Sequence, residues 1–197
     1  MKPEQNRNCS KLCCRGITKA LKMLFRDDFD HALNKKQNEA TDFYTDHFSL
    51  EDLFQILESK FGQQTTNGLL FRIGGIAFQT WRREDAQLRA LGEIENRLLP
   101  FNKKIFSALE QMALFLEREM NITINIHALG LTHWDIYIPH SNEVDSTVAE
   151  KHAWLVQGIL FEFLTWMDSR KIFRFSTPSH VQEHQRIEFA FSASAME

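Results

Sequence analysis

Apolar residues recur in this chain first with a helical period and later with a period of two. Cys13, Ile17, Leu21 and Leu24 share one helix face, with Lys11, Arg15, Lys19 and Lys22 between them, so residues 1–26 predict a basic amphipathic helix. Ser49 followed by Asp52 is a capping-box-like start, and Leu50, Leu53, Phe54, Leu57 and Phe61 mark a helix face that Gly62 closes. A second helix is predicted over 67–83, with Leu70, Ile73, Ala77 and Trp81 on one side. Gly74 and Gly75 inside it each cost about 1 kcal/mol relative to alanine, and their pairing predicts close packing against a neighbour. After a polar link containing Pro100, Asn102 is placed to cap a third long helix along Ile105, Leu109, Met112, Leu116 and Met120.

The period then changes. Ile122, Ile124 and Ile126 alternate with polar residues, and beyond Gly130 so do Trp134, Ile136 and Ile138, which predicts two antiparallel strands. A helix follows from about Thr147, apolar on nearly every side from Ala153 to Met167. Two short aromatic strands around 172–175 and 187–191 complete the pattern. A helix apolar all round is buried in a core or lines an apolar cavity. The order of elements predicts an α+β fold: N-terminal helices, then β-β-α-β-β, with a four-stranded antiparallel sheet packed on helices. The polar stretch 34–46 lacks periodicity and reads as a linker, separating residues 1–46 from a main domain at 47–197.

Composition narrows the function. With 197 residues, 43% hydrophobic and 25% charged, the chain fits one globular domain with an appendage. A formal charge of -3 removes any global case for a nucleic-acid partner. No apolar run reaches the ~18 residues of a membrane span, so a soluble, cytoplasmic protein is expected. Residues 1–26 nevertheless hold seven basic residues against the single acid Glu4. That excess suits an anionic membrane surface at ~1 kcal/mol per basic residue. The plainer alternative is a helix that caps the domain or mediates a homodimer or a heterodimer with a paralogue. Cys9, Cys13 and Cys14 all lie near the start, cannot staple distant parts of the fold, and point to a reducing compartment. Cys13 and Cys14 are candidates for acylation.

Three strings carry a family resemblance: Gly68-Leu-Leu-Phe-Arg72-Ile-Gly74, Gly158-Ile-Leu-Phe-Glu162-Phe-Leu-Thr-Trp166, and Lys171-Ile-Phe173-Arg174-Phe175. With them, the region from Phe48 onward resembles the 4-vinyl reductase (4VR) family of small-molecule-binding domains, a group akin in structure to the vesicle-tethering TRAPP subunits and to haem nitric-oxide-binding domains. The resemblance implies a ligand cavity behind the apolar helix. Members of the family commonly carry cysteines after the second strand, at the start of the apolar helix and in the last hairpin. Here those places read Ile138-Pro-His140-Ser, Ala153 beside His152, and His180, Glu183 and Glu188. A reductase activity is therefore not carried over by the resemblance. The His and the Tyr-x-Ser-x-Arg string of the haem-binding kin are also missing, which disfavours haem.

Other chemistry is sparse. His180-Val-Gln-Glu183-His184 fits the H-x-x-E-H zinc pattern, but Pro178 precedes it and a strand begins by Ile187, so a solvated hairpin is favoured. His180, Glu183, His184 and Glu188 are the weak candidates for a metal. His127, His133 and Asp135 fit the solvated face of a sheet, and no glycine-rich phosphate loop follows a strand. Seventeen phenylalanines offer flat apolar surface for a hydrocarbon, a lipid or a chlorophyll-type tetrapyrrole. Phe71, Phe78, Trp81, Phe115, Trp154, Phe161 and Trp166 are the expected pocket lining, and Arg72, His152 and Arg174 the groups that orient a polar head. Plain core packing is the alternative for the aromatics. The reading is a non-catalytic protein that binds a hydrophobic small molecule as carrier, sensor or assembly factor. Its alternatives are a tetrapyrrole reductase subunit and a scaffold in a multi-protein assembly.

Overall fold

The computed structural model of the chain describes residues 9–25, 49–92, 99–140 and 145–195. The linker expected over 34–46 lies outside the described residues. Within them the helices are α1 (Lys11–Phe25), α2 (Leu50–Phe61), α3 (Gln63–Glu84), α4 (Ala86–Leu91), α5 (Phe101–Met120) and α6 (Ser146–Met167). The strands are β1 (Asn125–Ala128), β2 (His133–Pro139), β3 (Lys171–Phe175), β4 (Ser179–Val181) and β5 (Arg186–Ala195), with a short 3₁₀ turn, Gln182–His184, between the last two.

The helix boundaries follow local chemistry. The Ser49 hydroxyl accepts from the Glu51 amide at 3.2 Å, and Gly62, at φ 75°, closes α2. Asp85 separates α3 from α4 and caps the latter through the Leu88 amide at 2.8 Å. The short α4 has no counterpart in the sequence reading, because six residues carry too little periodicity. Asn102 is not a cap: Pro100 holds that position, its carbonyl accepts from Lys104, and Asn102 sits in the first turn. At the other end of α5, Asn121 adopts the left-handed conformation (φ 54°, ψ 34°), where its amide and that of Ile122 satisfy the last carbonyls.

The sheet runs β1-β2-β5-β3, all antiparallel, with β4 pairing β5 beyond the end of β3. The fifth strand corrects the expected four. Pro178 lacks an N–H and interrupts the edge, so the chain leaves β5 after Phe175 and re-pairs from Ser179. Register places Trp134 opposite Phe191, Ile136 opposite Phe189 and Ile138 opposite Ile187, so every large apolar residue of β2 and β5 lies on the inner face. That face packs on α6.

Helix α6 runs beside α3 at backbone contact. A Cβ on Gly74 would overlap the Leu155 carbonyl, and one on Gly158 would overlap the Phe71 carbonyl. This is the neighbour that the paired glycines predict. The basic helix α1 packs on α3 and α5, and its Cys13, Ile17, Ala20 and Leu21 belong to the same core as α6. The Trp81 indole N–H donates to the Leu12 carbonyl at 2.9 Å, and the Ser10 hydroxyl bonds the Glu119 carboxylate. Lys104 and Asp168, at 7% and 6% side-chain exposure, form a buried ion pair of 3.1 Å between the start of α5 and the end of α6.

Candidate functional site

A cleft of about 500 Å³ opens where several elements end: the first residues of α2, the last of α5, the exit of β2 and the first turns of α6. Leu50, Met120, Ile122, Ile138 and Ala149 line it and are all buried, so more of its accessible lining is polar than apolar. Its rim is polar and carries Glu51, Glu117, His140 and His152. The chain reaches this place because Asn121 turns it out of α5 and Asp145, accepting from the Thr147 amide at 2.9 Å, restarts it as α6. Two ties hold the cleft walls together. Lys151 on α6 meets the Glu58 carboxylate of α2 at 2.6 Å, and the His152 ring stands edge-on to Phe54 with centroids 4.9 Å apart.

His140 forms the rim on the sheet side. Its amide donates to the Gln185 carbonyl at 3.0 Å, and its Nε2 lies 3.0 Å from Nε2 of His180, so one imidazole donates to the other. The His180-x-x-Glu183-His184 string falls on β4 and a 3₁₀ turn and not on an α-helix, so its histidines do not share the helical face that the zinc pattern needs. Glu188 is turned to the outer face, 3.4 Å from Arg186. No group of three His, Cys, Asp or Glu among the described residues is placed to hold a metal ion.

The predicted pocket residues do not converge on the cleft. Only His152 lines it. Phe78 and Trp81 have no accessible surface and Phe115 almost none; Phe78 meets Phe163 and Trp166, and Trp81 meets Phe115 at 5.5 Å. Phe71 and Phe161 form a half-buried pair at 5.5 Å across the α3–α6 contact. Trp154 reaches Glu150 at 3.4 Å, and Trp166 lies under Arg82. Arg72 and Arg174 are exposed, and neither lines the cleft. Sequence reasoning missed Glu51, Glu117, Met120 and Ala149. They sit at helix ends, where periodicity stops, and the left-handed Asn121 is the one local signal that the chain turns there.

On the outer face of the sheet, Tyr137 donates to Asp135 at 3.2 Å under the Arg186 guanidinium, with His127 against its ring. Burial and the Asp135 charge push the Tyr137 hydroxyl up from its usual range. No residue of this group lies among those lining the cleft.

No protein-family model matches this sequence, and no curated protein is similar to it. Solved structures are similar in shape. The Fe(II) unliganded H-NOX protein from K. algicida superposes with a TM-score of 0.61 at 9% identity, over 95% of this chain and 97% of that one. The fold is that of H-NOX domains. A mutant of the T. tengcongensis H-NOX gives 0.58 at 8% identity, over 95% and 99% of the two chains. An oxygen-binding H-NOX domain related to soluble guanylate cyclases gives 0.57 at 10%, over 91% and 92%.

These superpositions correct the resemblance to the 4VR family. The strings that suggested it hold Gly74 and Gly158, where α3 and α6 touch, and the alternating apolar residues of β3. Helix contact and strand burial demand such residues in any chain of this architecture, so they report packing and not family. The 4-vinyl reductase, chlorophyll and photosynthesis associations fall with the resemblance.

Proposed function

We propose that this chain is a non-catalytic binding or sensing domain on the H-NOX fold, and that its ligand is a small amphipathic molecule of lipid type held in the cleft. One observation carries the reading: buried apolar residues and the polar groups of Glu51, Glu117, His140 and His152 line one space of about 500 Å³, within the range of small-molecule sites. Met120, Ile138 and Ala149 would take an apolar body, and His140 and His152 would meet its polar end.

A haem held inside the helical body does not fit the described residues. Phe78, Leu109, Met112, Ile159 and Phe163 have 0% accessible surface and so border no space that admits even a water molecule. The axial ligand of haem iron is commonly an imidazole, and no described histidine is among the buried core residues.

Titration of the purified protein with a medium-chain fatty acid and with haemin, followed by the NMR signals of the His140 and His152 rings, tests the reading. Saturable shifts with the fatty acid are expected. Ala149→Phe, which plugs the floor, should abolish them while the circular dichroism spectrum is kept. Equal binding by Ala149→Phe, or a haemin complex that leaves both imidazoles unshifted, overturns the assignment.

A further inference from the structure

The end of the molecule opposite the cleft gathers the starts of α5 and β3, the turn after α6, the last residues of β5 and the tip of the β1–β2 hairpin. Contacts run from one to the next. Lys104 pairs with Asp168 at 3.1 Å, and the Lys171 ammonium lies 5.1 Å from the Phe101 ring centroid. Lys171 and Ile172 pair with Ala195 and Ser194, and the Ala193 amide donates to the Thr132 carbonyl at 2.9 Å. Helix α5 has 20 residues, so this end lies about 30 Å from the cleft.

Two properties coincide here. Leu129 and Leu131 project from the hairpin tip at 65% and 70% exposure, flanking Gly130, and Leu99 before α5 and Ile172 on β3 are about 40% exposed. Single exposed leucines are ordinary, but Leu129 and Leu131, two residues apart on one hairpin tip, give that tip an apolar character. The charge at this end also has one sign. The described segments 99–107, 128–133, 168–172 and 192–195 carry Lys103, Lys104, Arg170 and Lys171 against the single acid Asp168, which is buried on Lys104. Arg170 lies 3.4 Å from Asp168 with its side chain 87% exposed, and Lys103 is exposed too.

We propose that this end docks on an anionic bilayer surface, with Leu129 and Leu131 inserted at the headgroup boundary and Lys103, Arg170 and Lys171 against the lipid phosphates and carboxylates. A protruding aliphatic tip ringed by cations suits an interface of apolar chains under negative headgroups. Protein interfaces instead concentrate aromatic residues, methionine and arginine at their centres. The basic helix α1 is a poorer anchor. Its apolar face is packed on α3 and α5, and beside Lys11, Arg15, Lys19 and Lys22 it exposes one large apolar side chain, Met23, where the hairpin tip exposes two. Docked by the hairpin end, the protein keeps its cleft turned toward water.

Vesicle flotation of the full chain tests this, with phosphatidylcholine vesicles and with vesicles containing about one third phosphatidylserine. Binding to the anionic vesicles alone is expected, weakening as salt shortens the screening length. A leucine half withdrawn from water is worth about a fivefold factor, so Leu129→Ser with Leu131→Ser should weaken partitioning about 25-fold. Lys103→Gln with Arg170→Gln should do the same, at about fivefold per charge. Lys19→Gln with Lys22→Gln should leave it unchanged. All six positions are exposed, and thermal unfolding confirms that each variant is folded. The proposal is overturned if wild type ignores anionic vesicles, binds neutral ones equally, or loses binding through the α1 variant. It is also overturned if the leucine pair governs self-association without any vesicle binding.

Discussion

Replacing Gly158 by alanine should destabilise the protein, although alanine is the better helix former. The substitution gains about 1 kcal/mol of helix propensity. Against this, the new methyl overlaps the Phe71 carbonyl, and its nearest neighbours are backbone atoms of α3 that cannot swing aside. Overpacking a core costs ~1–3 kcal/mol where side chains yield, and a backbone obstacle lies at the top of that range or above it. Separating α3 from α6 also loosens the contacts of Leu70, Ile73 and Phe78, all fully buried. The net loss should be about 2–3 kcal/mol, or a midpoint lower by roughly 5–10 °C in a domain of this size. Two other glycines calibrate the measurement. Gly68 lies in α3 with nothing within 4 Å of an added Cβ, so Gly68→Ala should raise stability by up to about 1 kcal/mol. At Gly75 the nearest atom is the Gly158 carbonyl at 3.6 Å, an ordinary contact, so Gly75→Ala should also raise stability, by up to about 1 kcal/mol. Urea unfolding followed by far-UV circular dichroism reads all three. A Gly158→Ala protein as stable as wild type, or a Gly68→Ala protein equally damaged, would refute the close helix contact.

Lys104→Met removes the buried cation of Asp168 and leaves it only the exposed Arg170, so the cost should fall at the lower end of about 3–5 kcal/mol. Burial by itself would raise the Asp168 pKa, but the hydrogen bond and charge of Lys104, with the hydrogen bonds from Arg170, outweigh it and hold the carboxyl below its ordinary 3.8. The contribution of Asp168 is therefore complete above pH 3.8 and lost as the pH falls through its lower folded value; acid unfolding of wild type against Asp168→Asn measures it, and parallel curves would exclude it. Cys9 is pushed up by its hydrogen bond to Cys13 and by burial, and Cys9, Cys13 and Cys14 are all buried free thiols. Iodoacetamide should therefore label none of them in the native protein and all of them after denaturation, and rapid native labelling would contradict the packing of α1.

The elements that were legible in the sequence are those whose periodicity is paid for locally. Leu50 to Phe61, with Ser49 and Gly62 at its ends, reads as a helix because cap and face agree. The strands at Trp134 and Phe189 read as strands because inner residues alternate with solvated ones. Even the contact between α3 and α6 was foreshadowed by Gly74, since a helix tolerates such a residue only for a packing reason. The family reading misled for the same cause: strings that record packing are shared by any chain that packs this way.

Pocket and core could not be told apart from the pattern alone. Phe78, Trp81, Phe115 and Phe161 have the same apolar signature whether they line a space or fill it, and only tertiary packing shows Trp81 closed on Phe115 and Phe78 on Phe163. The cleft arises where α2, α5, β2 and α6 end, from residues as far apart as Glu51 and His152. The hairpin tip and the basic residues at the far end likewise meet only through the sheet and the Lys104–Asp168 pair. Sequence by itself determined the mixture of helices with an antiparallel sheet, the faces of its long helices and strands, and the close approach at Gly74, because those depend on neighbours in the chain. The placement of element ends beside one another depends on long-range packing, and that decided where the cleft and the hairpin end lie.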